Sequence, residues 1–387
     1  MTRSQTGRLV PAYLTAALLC SSFVFNVSAQ IYAIKQNNVG STFYTNFQFE
    51  NVSAANGARQ LYVNGSTAIQ NNLTYADNDT FIMRIDDTAN IDPNGPGRMS
   101  VRLKSNATYT QLVTVFDIRH IPVGCATWPA IWMNDDSVGI EAGEIDILEG
   151  INSYGTSTTQ LHTQGNCTMP DDRQMSGNAT STQCATSALQ DDNNGRNGCS
   201  VSGPYSSTFG PTFNTNGGGW YAMERSPEGV SVWFWARFDK SVPKAISNGT
   251  DTLNTTQFGT PIATFPNTST CNFAQEFSAH HLLLDISLCG SWAGVRFNAD
   301  GCAGDCVTYV NTNGSSFGDA YWDFAAARIY LPSNSSNSSG SGSGSGSSSG
   351  GSSSDARAVL VGGFNSGHIV MIGATVLTLA AGVLSLL

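Results

Sequence analysis

The hydrophobic positions of this chain fall into short strand-like runs separated by turn residues, and helical stripes are scarce. Ser100-Val101-Arg102-Leu103-Lys104, Leu112-Val113-Thr114-Val115-Phe116, Gly229-Val230-Ser231-Val232-Trp233-Phe234-Trp235 and His281-Leu282-Leu283-Leu284-Asp285 are examples. Gly217-Gly218-Gly219 reads as a turn into another strand at Trp220-Tyr221-Ala222. From Gln30 to about Pro332 neither a linker nor an internal repeat interrupts this pattern, which predicts one all-β domain, a sandwich of two antiparallel sheets with long loops.

One run departs from simple alternation. In Gly143-Glu144-Ile145-Asp146-Ile147-Leu148-Glu149-Gly150 acids and aliphatics alternate, until Leu148 stands where the next acid belongs and Glu149 comes one residue late. A regular strand would turn Glu149 to the opposite face from Glu144 and Asp146. A β-bulge inserts one residue, restores the phase, and collects all three carboxylates on one surface with the aliphatics packed inside. Clustered carboxylates repel, so at least one should hold its proton tightly, as a general acid must. Two carboxylates about 5–5.5 Å apart suit retaining glycoside hydrolysis. Full extension would separate Glu144 and Glu149 by roughly 13–16 Å, a span that a bulge and leaning side chains shorten. The spacing alone suits an acidic solvent-facing strand or a calcium-ligand cluster equally well.

The neighbouring segments shift the balance. Trp128-Pro129-Ala130-Ile131-Trp132 precedes the acids and offers indoles that could stack on sugar rings, or simply fill a core. Leu161-His162-Thr163 follows, and places an imidazole on what reads as the adjoining strand.

The ends of the chain and its composition place it outside the cytosol. Residues 1–29 form a basic start, an apolar run from Tyr13 to Phe25 and Val27-Ser28-Ala29, the pattern of a cleavable secretory signal; an uncleaved anchor is the alternative. Residues 333–354 are a Ser/Gly-rich linker. Residues 355–387 combine a short spacer with an apolar tail, the pattern of a glycosylphosphatidylinositol (GPI) attachment signal with Ser353 or Ser354 as the acceptor; a membrane-spanning helix is the alternative. The protein is therefore expected to be secreted and lipid-anchored at the outer face of the plasma membrane or cell wall, and monomeric. Cys20 lies in the signal, and the other eight of the nine cysteines are expected to form disulfides, in any of 105 pairings. Asn-x-Ser/Thr sequons recur from Asn51 to Asn337, in keeping with that compartment. A net charge of −10 with 12% charged residues leaves no basic stripe for nucleic acid.

The acid segment, continued by Gly150-Ile151-Asn152, resembles the bulged E-x-D-x-x-E signature of glycoside hydrolase family 16, and in particular its fungal laminarinase-like endo-β-1,3(4)-glucanases. Trp128-Pro129-Ala130-x-Trp132, Leu161-His162-Thr163, Tyr221-Ala222-Met223-Glu224, Val232-Trp233-Phe234, Cys289-Gly290-x-Trp292-Ala293-Gly294 and Ala320-Tyr321-Trp322 follow in matching order over 30–332. The resemblance implies a concanavalin A-like jelly roll with a cleft across its concave sheet, β-glucan as substrate and no cofactor or metal. By matching position it makes Glu144 the nucleophile, Glu149 the acid/base and Asp146 the group between them. Trp132 would flank the sugar at the cleavage point and His162 would lie against the catalytic set, with Trp128 and Trp292 further along the cleft. Ile140, Arg225, Phe258 and Ser291 depart from residues common in relatives, and bear on subsites and linkage preference. Hydrolysis of β-1,3 or mixed β-1,3/1,4-glucan, transglycosylation through the same covalent intermediate, and non-catalytic glucan binding are the functions to be separated.

Overall fold

Two antiparallel sheets stack face to face in the computed structural model, which describes residues 30–333 apart from 54–56, 89 and 187–197. The signal, residues 334–354 of the linker and the lipid-attachment segment, with Asn334 and Asn337, lie outside the described residues. The first sheet has nine strands and the second eight. In order across the second sheet run Asn178–Ser181, Cys199–Ser202, Tyr154–His162, Glu144–Ile151, Thr127–Asn134, His281–Leu288, Arg102–Ser105 and Phe47–Phe49. The longest α-helix among the described residues, Cys306–Thr312, has seven residues, so the expected all-β sandwich is what forms.

Period-two patterning decides what lies between the sheets. In strand Leu112–His120 of the first sheet, Leu112, Phe116 and Ile118 enter the inter-sheet core. Val113 and Val115 point the other way, into a second apolar layer with Trp220, Trp233, Trp235 and Phe258. Both faces of the central strands of this sheet are thus covered, and Leu112–His120 and Gly229–Ala236 read as largely apolar runs. The second sheet covers one face only. Its alternate residues Leu282, Leu284 and Ile286 join the core, while Asp285 and Ser287 line a cleft on the other side.

The run Ser100–Lys104 is not one strand. Arg98–Ser100 pairs in parallel with Gln60–Tyr62 as a separate two-stranded ribbon, and Arg102–Ser105 joins the eight-stranded sheet. Between them Val101 is fully buried in the core, and the Ser100 hydroxyl donates to the Ile286 carbonyl at 2.7 Å. The chain changes partners there and keeps its buried polar groups paired.

All eight cysteines among the described residues are paired, as Cys125–Cys302, Cys167–Cys271, Cys184–Cys199 and Cys289–Cys306. Two of these bridges fasten the segment 289–306, whose Gly290 and Ser291 form part of the cleft wall.

Candidate active site

The strand Glu144–Ile151 carries a bulge. Against strand Thr127–Asn134, Asp146 faces Trp132 but Leu148 already faces Ile131, so two steps on one strand meet one on the other. Against strand Tyr154–His162, Asp146 faces Gln160 and Glu149 faces Thr158, again with one residue in excess. Ile147 is the extra residue. It and its neighbour Leu148 are both fully buried in the inter-sheet core, while Glu144, Asp146 and Glu149 line the same cleft. The expected gathering of three carboxylates is present.

Local chemistry holds this irregularity in place. The Thr159 hydroxyl donates to the Ile147 carbonyl at 3.1 Å, which gives the bulged peptide a partner. Gly150 follows because a Cβ there would stand 2.3 Å from the Phe209 ring. A two-residue turn at Asn152 and Ser153, with φ of 51° and 61°, then reverses the chain into the next strand. The Asn152 side chain accepts from Ala126 N–H at 2.8 Å and donates to the Ala293 carbonyl at 2.9 Å. Thr159→Val keeps the volume and removes the donor, so it should cost about 1–2 kcal/mol by stranding a buried carbonyl. Urea unfolding at constant m-value measures this, and an unchanged midpoint would show that the bulge does not depend on Thr159.

Glu144 and His162 face each other directly across the strand pair. His162 Nε2 lies 3.1 Å from Asp146 Oδ2 and 3.9 Å from Glu144 Oε1, and Gln160 Nε2 lies 2.9 Å from the same ring nitrogen. Ligand atoms of Glu144, Asp146 and His162 all fall within 4.8 Å of one another. Glu149 Oε1 accepts from the Trp128 indole N–H at 2.9 Å. Trp132 directs its N–H to Asp285 Oδ2 at 3.1 Å, and the Arg102 guanidinium sits 4.9 Å from its ring centre. Arg102 is held in turn by Glu50 at 2.8 Å.

Burial dominates the electrostatics. It pushes the Glu144 carboxyl up to about 7, aided by the charge of Asp146 and opposed by His162 and Arg102. It also pushes Glu149 well above the usual carboxylate range, with Asp146 adding to the effect and the Trp128 N–H opposing it. Asp146 is raised by burial and by Asp285. Asp285 reaches about 6 through burial, against the pull of Arg102 and the Trp132 N–H.

Five of the seven residues singled out in the sequence (Glu144, Asp146, Glu149, Trp128 and Trp132) line one cleft of about 240 Å³. His162 lies beside it, against two of the acids. Trp292 is elsewhere: it is buried, packs edge-on against Trp128 at 5.6 Å, and borders a separate hollow with Tyr154 and Arg296. Of the four departures from the family pattern, Ser291 lines the cleft. Phe258 packs against Trp233 and Trp235, and Arg225 is buried with its guanidinium donating to the carbonyls of Phe277 and Ser278. The sequence reading missed Arg102 and Asp285, which pair across adjacent strands of the site sheet. Asp285, a lone charge after the apolar run Leu282-Leu283-Leu284, carries a signal, because such a charge is costly unless paired; Arg102, which alternates with Lys104, carries none.

The profile described as the XgeA-like, catalytic GH16 domain matches residues 47–330 of this chain. The chain belongs to glycoside hydrolase family 16. A probable endo-1,3(4)-β-glucanase of Aspergillus clavatus is 35% identical over 337 residues, 84% of this chain and 50% of that protein. The endo-1,3(4)-β-glucanase xgeA of Emericella nidulans is 34% identical over 78% of this chain and 48% of its own length. The family-16 chain thus spans about half the length of these relatives. Among solved structures, GH16 laminarinase 16A from Phanerochaete chrysosporium, with β-glucans in donor and acceptor sites, superposes with a TM-score of 0.75 at 45% identity. The match covers 78% of this chain and 100% of that one. An elongating family-16 β-1,3-glucosyltransferase matches with a TM-score of 0.71 at 32% identity, over the same 78% of this chain and 100% of its own.

Proposed function

We propose that this protein cleaves β-1,3 or mixed β-1,3/1,4-glucan within the chain, with retention of configuration. The observation that carries this reading is the bulge, which brings Glu149 onto the face of Glu144 and gives the two carboxyls different surroundings. Glu149 is nearly enclosed, so it keeps its proton and donates it to the departing glycosidic oxygen. Glu144 stands beside the His162 imidazole, which favours its ionised form, and it attacks the anomeric carbon to form a glycosyl ester. The Glu149 carboxylate then takes a proton from an incoming water, whose oxygen displaces Glu144 and closes the cycle. Asp146, between them and against His162, is placed to tune the proton affinity of both, since charge on it favours their protonated forms. Trp128 and Trp132 supply flat apolar surfaces for sugar rings, each with its N–H fixed by a carboxylate. Four disulfides suit an enzyme that meets its polysaccharide outside the cell.

Transglycosylation is the second reading, favoured by the likeness to the elongating glucosyltransferase. There a sugar hydroxyl replaces the water. Incubation of the secreted protein with laminarin, barley β-glucan and chitin oligosaccharides, with products sized by chromatography, decides between them. Shortened β-glucan fragments fit hydrolysis and elongated products fit transfer. Binding to intact polymer without turnover would leave only a lectin.

A further inference from the structure

We infer that the protein carries a second, non-catalytic binding site for neutral glucan chains, built on the nine-stranded sheet. The inference rests on the glucanase reading above. A cavity of about 640 Å³ lies where strand Gly229–Ala236 runs out, more than twice the volume of the acid-lined cleft and within the range of ligand sites. The two cavities share no lining residue.

Local structure explains why a hollow forms there. Strand Ala263–Pro266 covers the edge of Gly229–Ala236 only from Gly229 to Val232. Beyond that register, Phe234–Ala236 have no strand partner on that edge among the described residues. Residues 257–260 line the cavity there instead, held where the Trp233 indole donates to the Gly259 carbonyl at 2.9 Å.

The lining is the chemistry of a sugar site. Tyr205 and Phe238 border the cavity, each with 66% of its surface exposed, the highest value among the large apolar side chains described. Aromatic rings left this accessible offer faces for the C–H surfaces of pyranose rings. Ser207, Ser241, Gln257 and Thr260 line the same cavity and can donate and accept with sugar hydroxyls. Among the described residues no Lys or Arg lines the cavity, and the one carboxylate there, Asp239, already accepts from the backbone and hydroxyl of Ser241 at 2.7 Å each. An anionic partner has nothing to pair with, and a neutral polyol does. Without a pair of acids, the site holds a chain and leaves it intact. A polymer presents the same units all along its length, so one strand held here raises the local concentration of others at the cleft.

The test uses the full chain with Glu149→Gln as parent, so that the probe stays intact. Retention on an insoluble linear β-1,3-glucan is compared for this parent and for the same protein with Tyr205→Ala and Phe238→Ala added. Loss of two stacking faces should weaken retention by about tenfold. With Glu149 restored, the two aromatic changes should leave kcat/KM on laminaritetraose within about twofold, because the lone tetrasaccharide is handled by the cleft alone. Tyr205→Phe with Phe238→Tyr should restore retention, since both rings remain. Unchanged retention in the alanine variant overturns the second site, as does a loss of self-association in place of glucan binding. If the unsubstituted protein releases nothing from soluble laminarin, the glucanase reading fails instead, so the two failures are distinguishable.

Discussion

Glu144→Gln and Glu149→Gln each lower kcat on laminarin by a factor on the order of 10³ or more, and they separate when the leaving group is changed. On an aryl β-glucoside of a laminari-oligosaccharide, whose phenolate departs without a proton, formation of the glycosyl ester no longer needs an acid. Glu149→Gln should then show a rapid release of one equivalent of phenol followed by slow turnover, because Glu149 is also needed to activate water. Glu144→Gln should show no burst, since the amide is too weak a nucleophile to form the ester. Far-UV circular dichroism should be unchanged in both, because both side chains sit on the cleft face and the core beneath is left intact. A burst from the Glu144 variant would reverse the assignment. Near-normal turnover of laminarin by either would remove the mechanism altogether. In the unsubstituted enzyme the ascending limb of kcat/KM against pH should lie above the ordinary carboxylate range, because Glu144 ionises only near 7. The descending limb reports loss of the raised Glu149 proton.

The bulge was legible because two aliphatics in succession, Ile147 and Leu148, interrupt an acid alternation, and both turn out to be core residues. Trp128, Trp132 and His162 were legible for a related reason. They lie on the strands immediately before and after the acids in sequence, and sequential antiparallel strands tend to be neighbours. Arg102 and Asp285 belong to strands brought in by long connections, so nothing local ties them to the acids. Their register, Asp285 opposite both Ala130 and Arg102, exists only once the sheet is assembled. The misplacement of Trp292 has the opposite cause. Its motif is clear, but whether an indole faces the cleft or props up the indole beside it depends on a loop fixed by Cys125–Cys302 and Cys289–Cys306. Those pairings are properties of the topology and are not encoded in cysteine spacing. The covering of the central strands of the nine-stranded sheet was hidden in the same way, because its second apolar layer draws on Ile246, Leu253 and Phe258 from loops and short elements.

The acids proposed to perform the chemistry should cost stability, and the pH dependence of unfolding exposes this. A carboxyl raised from 4.5 to about 7, as in Glu144, binds its proton more tightly in the folded chain than in the unfolded one. The folded state therefore holds more protons between those values, and stability falls as pH rises through that window. Asp285, raised from 3.8 to about 6, acts in the same direction, as do Asp146 and Glu149. Glu144→Gln removes one ionisation, so the variant should match the parent below about pH 4 and exceed it by about 2–3 kcal/mol near pH 8. This is less than the full shift implies, since 29% of the Glu144 side chain meets water. Denaturant unfolding at pH 4, 6 and 8 reads the difference directly. A gain that is constant with pH would trace the effect to packing, and a loss near pH 8 would mean that the Glu144 charge is welcomed by His162 and Arg102. A gain that opens only as the carboxyl ionises would identify the strain of the site as electrostatic, held in place by the core that Ile147 and Leu148 anchor beneath it.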